Sequence, residues 1–298
     1  MPAAAAIHRL AVVLLLIPMF ASAAERPTAP PPRPRAEVQA ALSKAPRPPE
    51  NPKPITLLLS TGKKDHGPNE HDYPRWKAEW SKLLGGAKNV TIKFAHEFPT
   101  KEELDGADVL ILFNFGNWRD PARLPLLEEH LKKGKGVVSM HSAICAYKPQ
   151  STKLAQLIGL SWEYGVSNFR HGVMDLVLSD PDDPITRGLP KKMRFLDETY
   201  WPMVGDLSAI TLLGRAEELE NPKDPNSVKK LYPMLWTKEH ADTKGRAFVT
   251  LQGHYVWTFD DPYFRAILLR GIAWAGGAEG DEIYRFEPLV LQGVKLAD

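Results

Sequence analysis

Four short apolar runs, separated by helix-like stretches, constrain this chain more than any other feature. Ile55-Thr56-Leu57-Leu58-Leu59-Ser60 is continuous and closed by Gly62, residues 109–113 and 137–140 repeat the pattern, and residues 90–94 also read as a strand. Runs this short and uniform are strands buried on both faces, as in a parallel sheet. Between them lie helix signals. Residues 74–84 begin with a proline and place Trp76 and Trp80 on one face, as a helix requires. Thr100 and Glu103 have the spacing of a capping box. Residues 124–133 run into Gly134 and Gly136, which stop a helix. This alternation predicts an α/β fold, a doubly wound and mainly parallel sheet. The second half is richer in strand signals, at 173–178, 193–196, 210–213, 234–236 and 248–251. Extra antiparallel strands are therefore expected, with a closing helix over 263–275.

The ends of the chain read differently. Arg9, an apolar stretch over 10–20 and Ala21-Ser22-Ala23 form a signal-peptide pattern over 1–23. The stretch is shorter than the ~20 residues a spanning helix needs. A secreted or periplasmic protein is expected, without stable membrane insertion after cleavage. Residues 25–54 hold ten of the 27 prolines, so 24–54 reads as a disordered, polyproline-like tether. A helical turn or two is expected within AEVQAALSK. The folded unit is then 55–290, followed by a tail over 291–298. The tether carries six basic and three acidic residues, which leaves the folded unit slightly acidic. That balance lacks the basic footprint of a nucleic-acid partner. The single cysteine, Cys145, cannot form an intramolecular disulfide.

In open α/β sheets, ligands bind beyond the carboxyl ends of the strands. Asp65, His66, Glu70 and His71 follow the first strand, and Asn114, Asn117 and Trp118 the third. His141 ends the fourth, where an α/β-hydrolase-like fold presents its nucleophile elbow. Gln252-Gly253-His254 follows the last. His171 precedes a strand and Asp197-Glu198-Thr199-Tyr200 follows one. Glu198, next to Tyr200 and Trp201, is expected to have a pKa raised by desolvation, as suits a general acid or base. His66 and His71 have the plainer reading of solvated loop residues, and His141 and His254 that of satisfied core residues. Trp118, Trp162, Trp201 and Trp257 are candidates for stacking on sugar faces, or ordinary core. Cys145, among Ala143, Ile144 and Ala146, reads as packing. The P-loop, GxGxxG, HExxH and GxSxG motifs do not occur.

Seven segments in order carry a resemblance: VVSMHSA (137–143), FRHG (169–172), DPITRGLP (183–190), DETY (197–200), PMLW (233–236), GRAFVTLQGH (245–254) and DPYFRAILLRGIAWA (261–275). Across roughly 55–277 the chain resembles the ThuA-like (trehalose utilisation) family. The resemblance implies a flavodoxin-like fold related to class I glutamine amidotransferases. His141 would stand where those relatives carry a nucleophilic cysteine, so glutaminase chemistry is lost or replaced. Asp183 departs from the histidine common in the family and reads as a structural turn.

The resemblance implies a role in disaccharide breakdown, partly through 3-keto sugars. One reading is therefore an enzyme that abstracts the proton beside a sugar ketone, giving an enediolate that expels a glycosidic oxygen or isomerises. His141, Glu198, His254 and His171 are its candidate catalytic residues. Asn114, Asn117, Trp118, Tyr200, Trp257 and Gln252 are its candidate substrate contacts. A divalent ion, Zn or Mn, would be held by His141 and His254 with His66 or His71. The other reading is a non-catalytic carbohydrate-binding or accessory protein. The partner expected in both is a small carbohydrate, and a homodimer stays open.

Overall fold

The computed structural model describes residues 27–298; the expected signal peptide lies outside them. Among the described residues, no helix is long and apolar enough to cross a membrane. The strands are β1 (Ile55–Thr61), β2 (Val90–His96), β3 (Val109–Phe113), β4 (Gly136–Met140), β5 (Cys145–Ala146), β6 (Leu160–Glu163), β7 (Asn168–Leu178), β8 (Lys192–Trp201), β9 (Val204–Gly205), β10 (Thr211–Leu219), β11 (Lys229–Glu239) and β12 (Arg246–Thr250). The helices are α1 (Arg35–Leu42), α2 (Tyr73–Gly85), α3 (Lys101–Asp105), α4 (Arg123–Lys132), α5 (Gln150–Ile158) and α6 (Pro262–Ala275).

The main sheet has the order β2-β1-β3-β4-β12-β11-β10-β7-β8. Its first five strands are mutually parallel, and the rest are antiparallel. The parallel half is the flavodoxin-like order, whose ligand crevice lies where the strand order reverses beside β1. The apolar runs become β1, β3 and β4, and β3 and β4 are buried throughout. Helices cover both faces of such strands, so every residue needs an apolar partner. α6 packs beneath β12 and β4 with nearly all of its residues buried. The Thr100–Glu103 capping box starts α3.

Two expectations are corrected. Residues 27–54 are docked on the domain, where a disordered tether was expected. Val38 and Ala41 of α1 are buried in the common core. Arg33 donates to the Asp261 carboxylate at 2.6 Å and to the Arg194 carbonyl at 2.8 Å. Its guanidinium lies over the rings of Phe195 and Tyr263. The tail joins in: Arg35 N–H donates to the Ala297 carbonyl, and Ala297 N–H to that of Arg33. Proline removes backbone donors but not apolar contacts, and the helix between the proline clusters supplies an apolar pair to bury. The second correction is one of length. β7 starts at Asn168 and β8 continues to Trp201, so FRHG and DETY lie within strands. Their charged residues mask the strand pattern.

Candidate metal centre

Three loops at the carboxyl ends of parallel strands meet one antiparallel strand. The β1–α2 loop brings His71, the turn after β4 brings His141, the segment after β12 brings His254, and β8 brings Glu198. All four are buried. One ligand atom from each lies within 4.8 Å of all the others. His141 Nε2 is 2.9 Å from His71 Nε2 and 3.1 Å from Glu198 Oε2. His254 Nδ1 is 3.1 Å from His71 Nε2 and 3.1 Å from the same carboxylate oxygen.

The backbone is shaped for this convergence. His71 and His141 have φ of 41° and 52°, left-handed values that residues with a Cβ adopt at a cost. The turn at His141 lifts its imidazole off the end of β4, as an elbow would. His71 N–H donates to the His254 carbonyl at 2.9 Å, and Val256 N–H to that of Asn69 at 2.9 Å. These bonds lace the two loops together. Gly253, at φ 127°, sits where a Cβ would come 3.0 Å from Phe259 Cζ and 3.6 Å from His141 Cβ. His171 and Glu198 face each other across β7 and β8.

The second set of ring nitrogens fixes the tautomers. His141 Nδ1 lies 2.8 Å from the Leu251 carbonyl, which only accepts. His71 Nδ1 lies 3.1 Å from Asp65 Oδ1. Both Nδ1 atoms therefore carry a proton, and in the neutral rings, the form that binds a cation, both Nε2 lone pairs point into the cluster. His254 Nε2 has only Glu70 at 3.9 Å and no hydrogen-bond partner. Neighbouring lone pairs and a carboxylate oxygen should repel, yet they converge. A cation at their centre resolves this: ligand distances of ~2.0–2.2 Å bring neighbouring donors to about 3–3.5 Å from each other. Asp65 behind His71 and the Leu251 carbonyl behind His141 are the outer partners that metal-bound imidazoles use. Three imidazoles and a carboxylate suit Zn or Mn better than Ca.

Electrostatics follow the same pattern. Burial, with the neighbouring imidazoles, drives the His71 pKa down to about 3 despite its bond to Asp65. Burial lowers His254, although Glu198 opposes it. Burial also works against charge on His141, but Glu198 outweighs it and raises the pKa. Burial penalises the Glu198 charge too, yet His141, His171 and His254, where they carry a proton toward it in the metal-free centre, hold its carboxyl well below the carboxylate range. The raised pKa expected for Glu198 is thus corrected: it is a fixed anion, and desolvation is only one side of its balance. The bond to Glu198 raises His171, at the mouth of the site with its side chain 42% exposed.

Asp197, adjacent in sequence, is fully buried and holds the centre together. It accepts N–H bonds from Glu198, Gly253 and His254, and the Thr258 hydroxyl. Its role is absent from the sequence reading, as is that of Tyr73, whose hydroxyl lies 2.9 Å from His71 Nδ1. Only the DETY pairing of two acids hints at Asp197.

The remaining candidates scatter. Tyr200 reaches the centre, with its hydroxyl 3.2 Å from His141 Nε2 and its ring stacked on that imidazole. His66 stands outside the four. It bonds to Asp65 at 2.7 Å and leans on the His71 ring in a second, more exposed trio. Trp118 is core: it is buried and its Nε1–H donates to the Ala143 carbonyl at 2.7 Å. Trp162 and Trp201 are likewise buried with their N–H groups on carbonyls. None of these three offers an open face to a sugar, because each indole is enclosed and satisfied inside the fold. Trp257 stacks on Tyr255 and, with Pro30–Pro34, lines a cavity of about 270 Å³. Asn114 and Asn117 are buried and bond to the Glu97 carbonyl and to each other. Gln252 is buried with no protein partner for its amide. Asp183 forms a turn, accepting from Ile185 N–H at 2.8 Å. Burial pushes the Cys145 thiol well up, which disfavours a thiolate nucleophile.

Fold and centre together define a flavodoxin-like α/β protein with a buried cluster of imidazoles and one carboxylate at its strand ends. The family model ThuA, trehalose utilisation, matches residues 61–275, and the chain belongs to that family. Among solved structures it is similar to a ThuA-like protein from Parabacteroides merdae (22% identity, TM-score 0.57, covering 75% of this chain and 90% of that one). It is also similar to one from Bacteroides uniformis (17% identity, TM-score 0.57, covering 77% and 94%). A GMP synthase protein from Thermoplasma acidophilum is more distant (10% identity, TM-score 0.40, covering 80% and 96%). No curated protein matches the chain.

Proposed function

We propose that this chain is a secreted or periplasmic, metal-dependent enzyme of carbohydrate breakdown that acts beside a sugar ketone, as in a 3-keto-glycoside. The observation that carries the reading is the convergence of His71, His141, His254 and Glu198 with their lone pairs inward. Those four residues would hold a Zn or Mn ion, which when bound supplies a Lewis acid to polarise the ketone.

The chain's own residues divide the remaining work. Glu198 stays ionised and anchors His171 through Oε1 at 3.0 Å. His171 is the exposed acid–base group of the site and takes the proton from the carbon next to the ketone. The electrons left behind expel the glycosidic oxygen from the adjoining carbon, and that oxygen takes up a proton. The Tyr200 hydroxyl lies beside His141 and donates to the developing oxyanion. His141 itself, fully buried, would hold the metal and leaves the substrate proton to His171.

Metal content by mass spectrometry on the purified chain tests the reading, beside His141→Ala and His171→Gln. About one equivalent of Zn or Mn is expected in the wild type and in His171→Gln, and none in His141→Ala. Turnover of 3-keto-glycosides should fall in both variants. A wild type that takes up no metal after reconstitution would overturn the reading.

A further inference from the structure

Four aromatic side chains are exposed among the described residues: Phe94, Phe115, Tyr147 and Phe169. Phe94 lies away from the centre, with Lys77 over its ring. The other three gather at the mouth of the centre, although they come from separate segments. Phe115 follows β3, Tyr147 follows β5, and Phe169 lies on β7. Contacts tie each to the site. Phe169 packs 5.8 Å from the His171 ring, and Phe115 6.4 Å from that of His66. Tyr147 stacks on Tyr164 at 3.9 Å, and Tyr164 meets Phe115 at 6.5 Å. From Tyr164 an aromatic path leads inward through Trp162 and Tyr200 to His141.

We propose that Phe115, Tyr147, Tyr164 and Phe169 form a binding subsite for the part of a glycoside beyond its reacting ring. The substrate class is then a glycoside with a second ring, not a free monosaccharide. The inference rests on the carbohydrate reading above. Exposed aromatic faces keep apolar area in water at a cost, and a flat ligand removes it by stacking. Here the apolar rim stands above a floor of imidazoles, a carboxylate and a tyrosine hydroxyl. A ligand that matches both must be apolar on one face and polar at one end. A pyranose with its axial C–H face and an aryl aglycone both meet that description. Of the exposed aliphatic side chains, Leu207, Val228 and Leu231 lie on other segments, whereas Val166 precedes β7 and Val173 lies on it with Phe169. Ring faces thus make up most of the rim, which suits a flat ligand that stacks.

Calorimetry with the zinc-loaded chain tests the subsite. The probes are methyl β-D-glucopyranoside, phenyl β-D-glucopyranoside, cellobiose and trehalose. At least one two-ring ligand is expected to bind about tenfold more tightly than the methyl glucoside, a difference of ~1.4 kcal/mol. Tyr147→Ala and Phe169→Ala, at positions 51% and 58% exposed, should remove that preference. Zinc content checks that the centre survives in each variant. Preference for the phenyl glucoside identifies an aryl aglycone, and preference for a disaccharide identifies a second pyranose. Equal binding of one-ring and two-ring ligands, or a preference that persists in both variants, overturns the subsite and leaves the carbohydrate reading standing. No binding of any probe to zinc-loaded protein overturns both.

Discussion

Replacing Asp197 with Asn tests whether one buried carboxylate assembles the metal centre. Its Oδ1 accepts the N–H of Glu198 at 2.7 Å and of His254 at 3.0 Å; its Oδ2 accepts the N–H of Gly253 at 3.0 Å and the Thr258 hydroxyl. Strand β8 and the segment after β12 are therefore clamped by one side chain, and each carries a ligand. Asn keeps the shape and one oxygen. If that oxygen stays on Glu198 and His254, the new NH2 group faces the Gly253 N–H, donor against donor. The Thr258 hydroxyl can rotate to accept. One buried N–H is left unpaired, at ~1–3 kcal/mol, and the surviving bonds lose their charge assistance. Burial pushes the Asp197 carboxyl up against its donors, so the neutral amide recovers part of this loss. The expected net destabilisation of the metal-free chain is about 3 kcal/mol at neutral pH. Zinc affinity should fall ~10–100-fold, the usual effect of losing an outer partner. Urea denaturation of the metal-free chain gives the first quantity, and competition against a chromophoric chelator the second. A stability change below ~1 kcal/mol, the range of an ordinary substitution, with zinc affinity unaltered would refute the clamp.

Two further outcomes lie away from the centre. His130 is buried and its Nε2 donates to the Gly136 carbonyl at 3.0 Å. Burial lowers its pKa below the ordinary 6.5, so the folded chain keeps it neutral while the unfolded chain takes a proton below pH 6.5. Its contribution is complete above that pH and is lost as pH falls below it. The stability gap between wild type and His130→Gln should narrow from pH 7 to pH 5 in urea melts; a constant gap counts against this account. Arg33→Ala removes the 2.6 Å bond to Asp261, which caps α6, and the contacts over Phe195 and Tyr263. The expected loss is about 1–2 kcal/mol. Limited proteolysis should then cut the 27–45 segment before the core, and cleavage at the wild-type rate would contradict its docking.

The parallel half of the fold was readable because its physics is local. β1, β3 and β4 are covered on both faces, and that condition writes itself as a continuous apolar run. β2 is an edge strand, half exposed, and shows itself only through Val90, Ile92 and Phe94. The site was readable to the extent that it obeys the strand-end rule: His71, His141 and His254 all follow parallel strands. What chooses His71 over His66 is not local. Only His71 has a backbone bond to the loop of His254 and a left-handed φ that turns its ring inward. Glu198 was harder for a related reason. It sits inside an antiparallel strand, opposite His171, where a charged residue counts against the strand it belongs to.

One misread region, the start of β7 and the end of β8, coincides with the site. FRHG and DETY break the alternation expected of β7 and β8, and they supply His171, Asp197 and Glu198. His71 and His141 are among the few non-glycine residues with left-handed φ, and His254 has a buried, unpartnered ring nitrogen. A chain optimised only for folding would have removed each of these features, since strain and unpaired buried groups each cost on the order of 1–3 kcal/mol. Their meeting in one cluster, on three side chains that face each other, fits a functional centre: local preference and final fold disagree where a bound ligand completes the balance. On this argument metal binding should stabilise the fold as well as activate it, because the ion relieves the convergence of lone pairs that the four side chains otherwise bear.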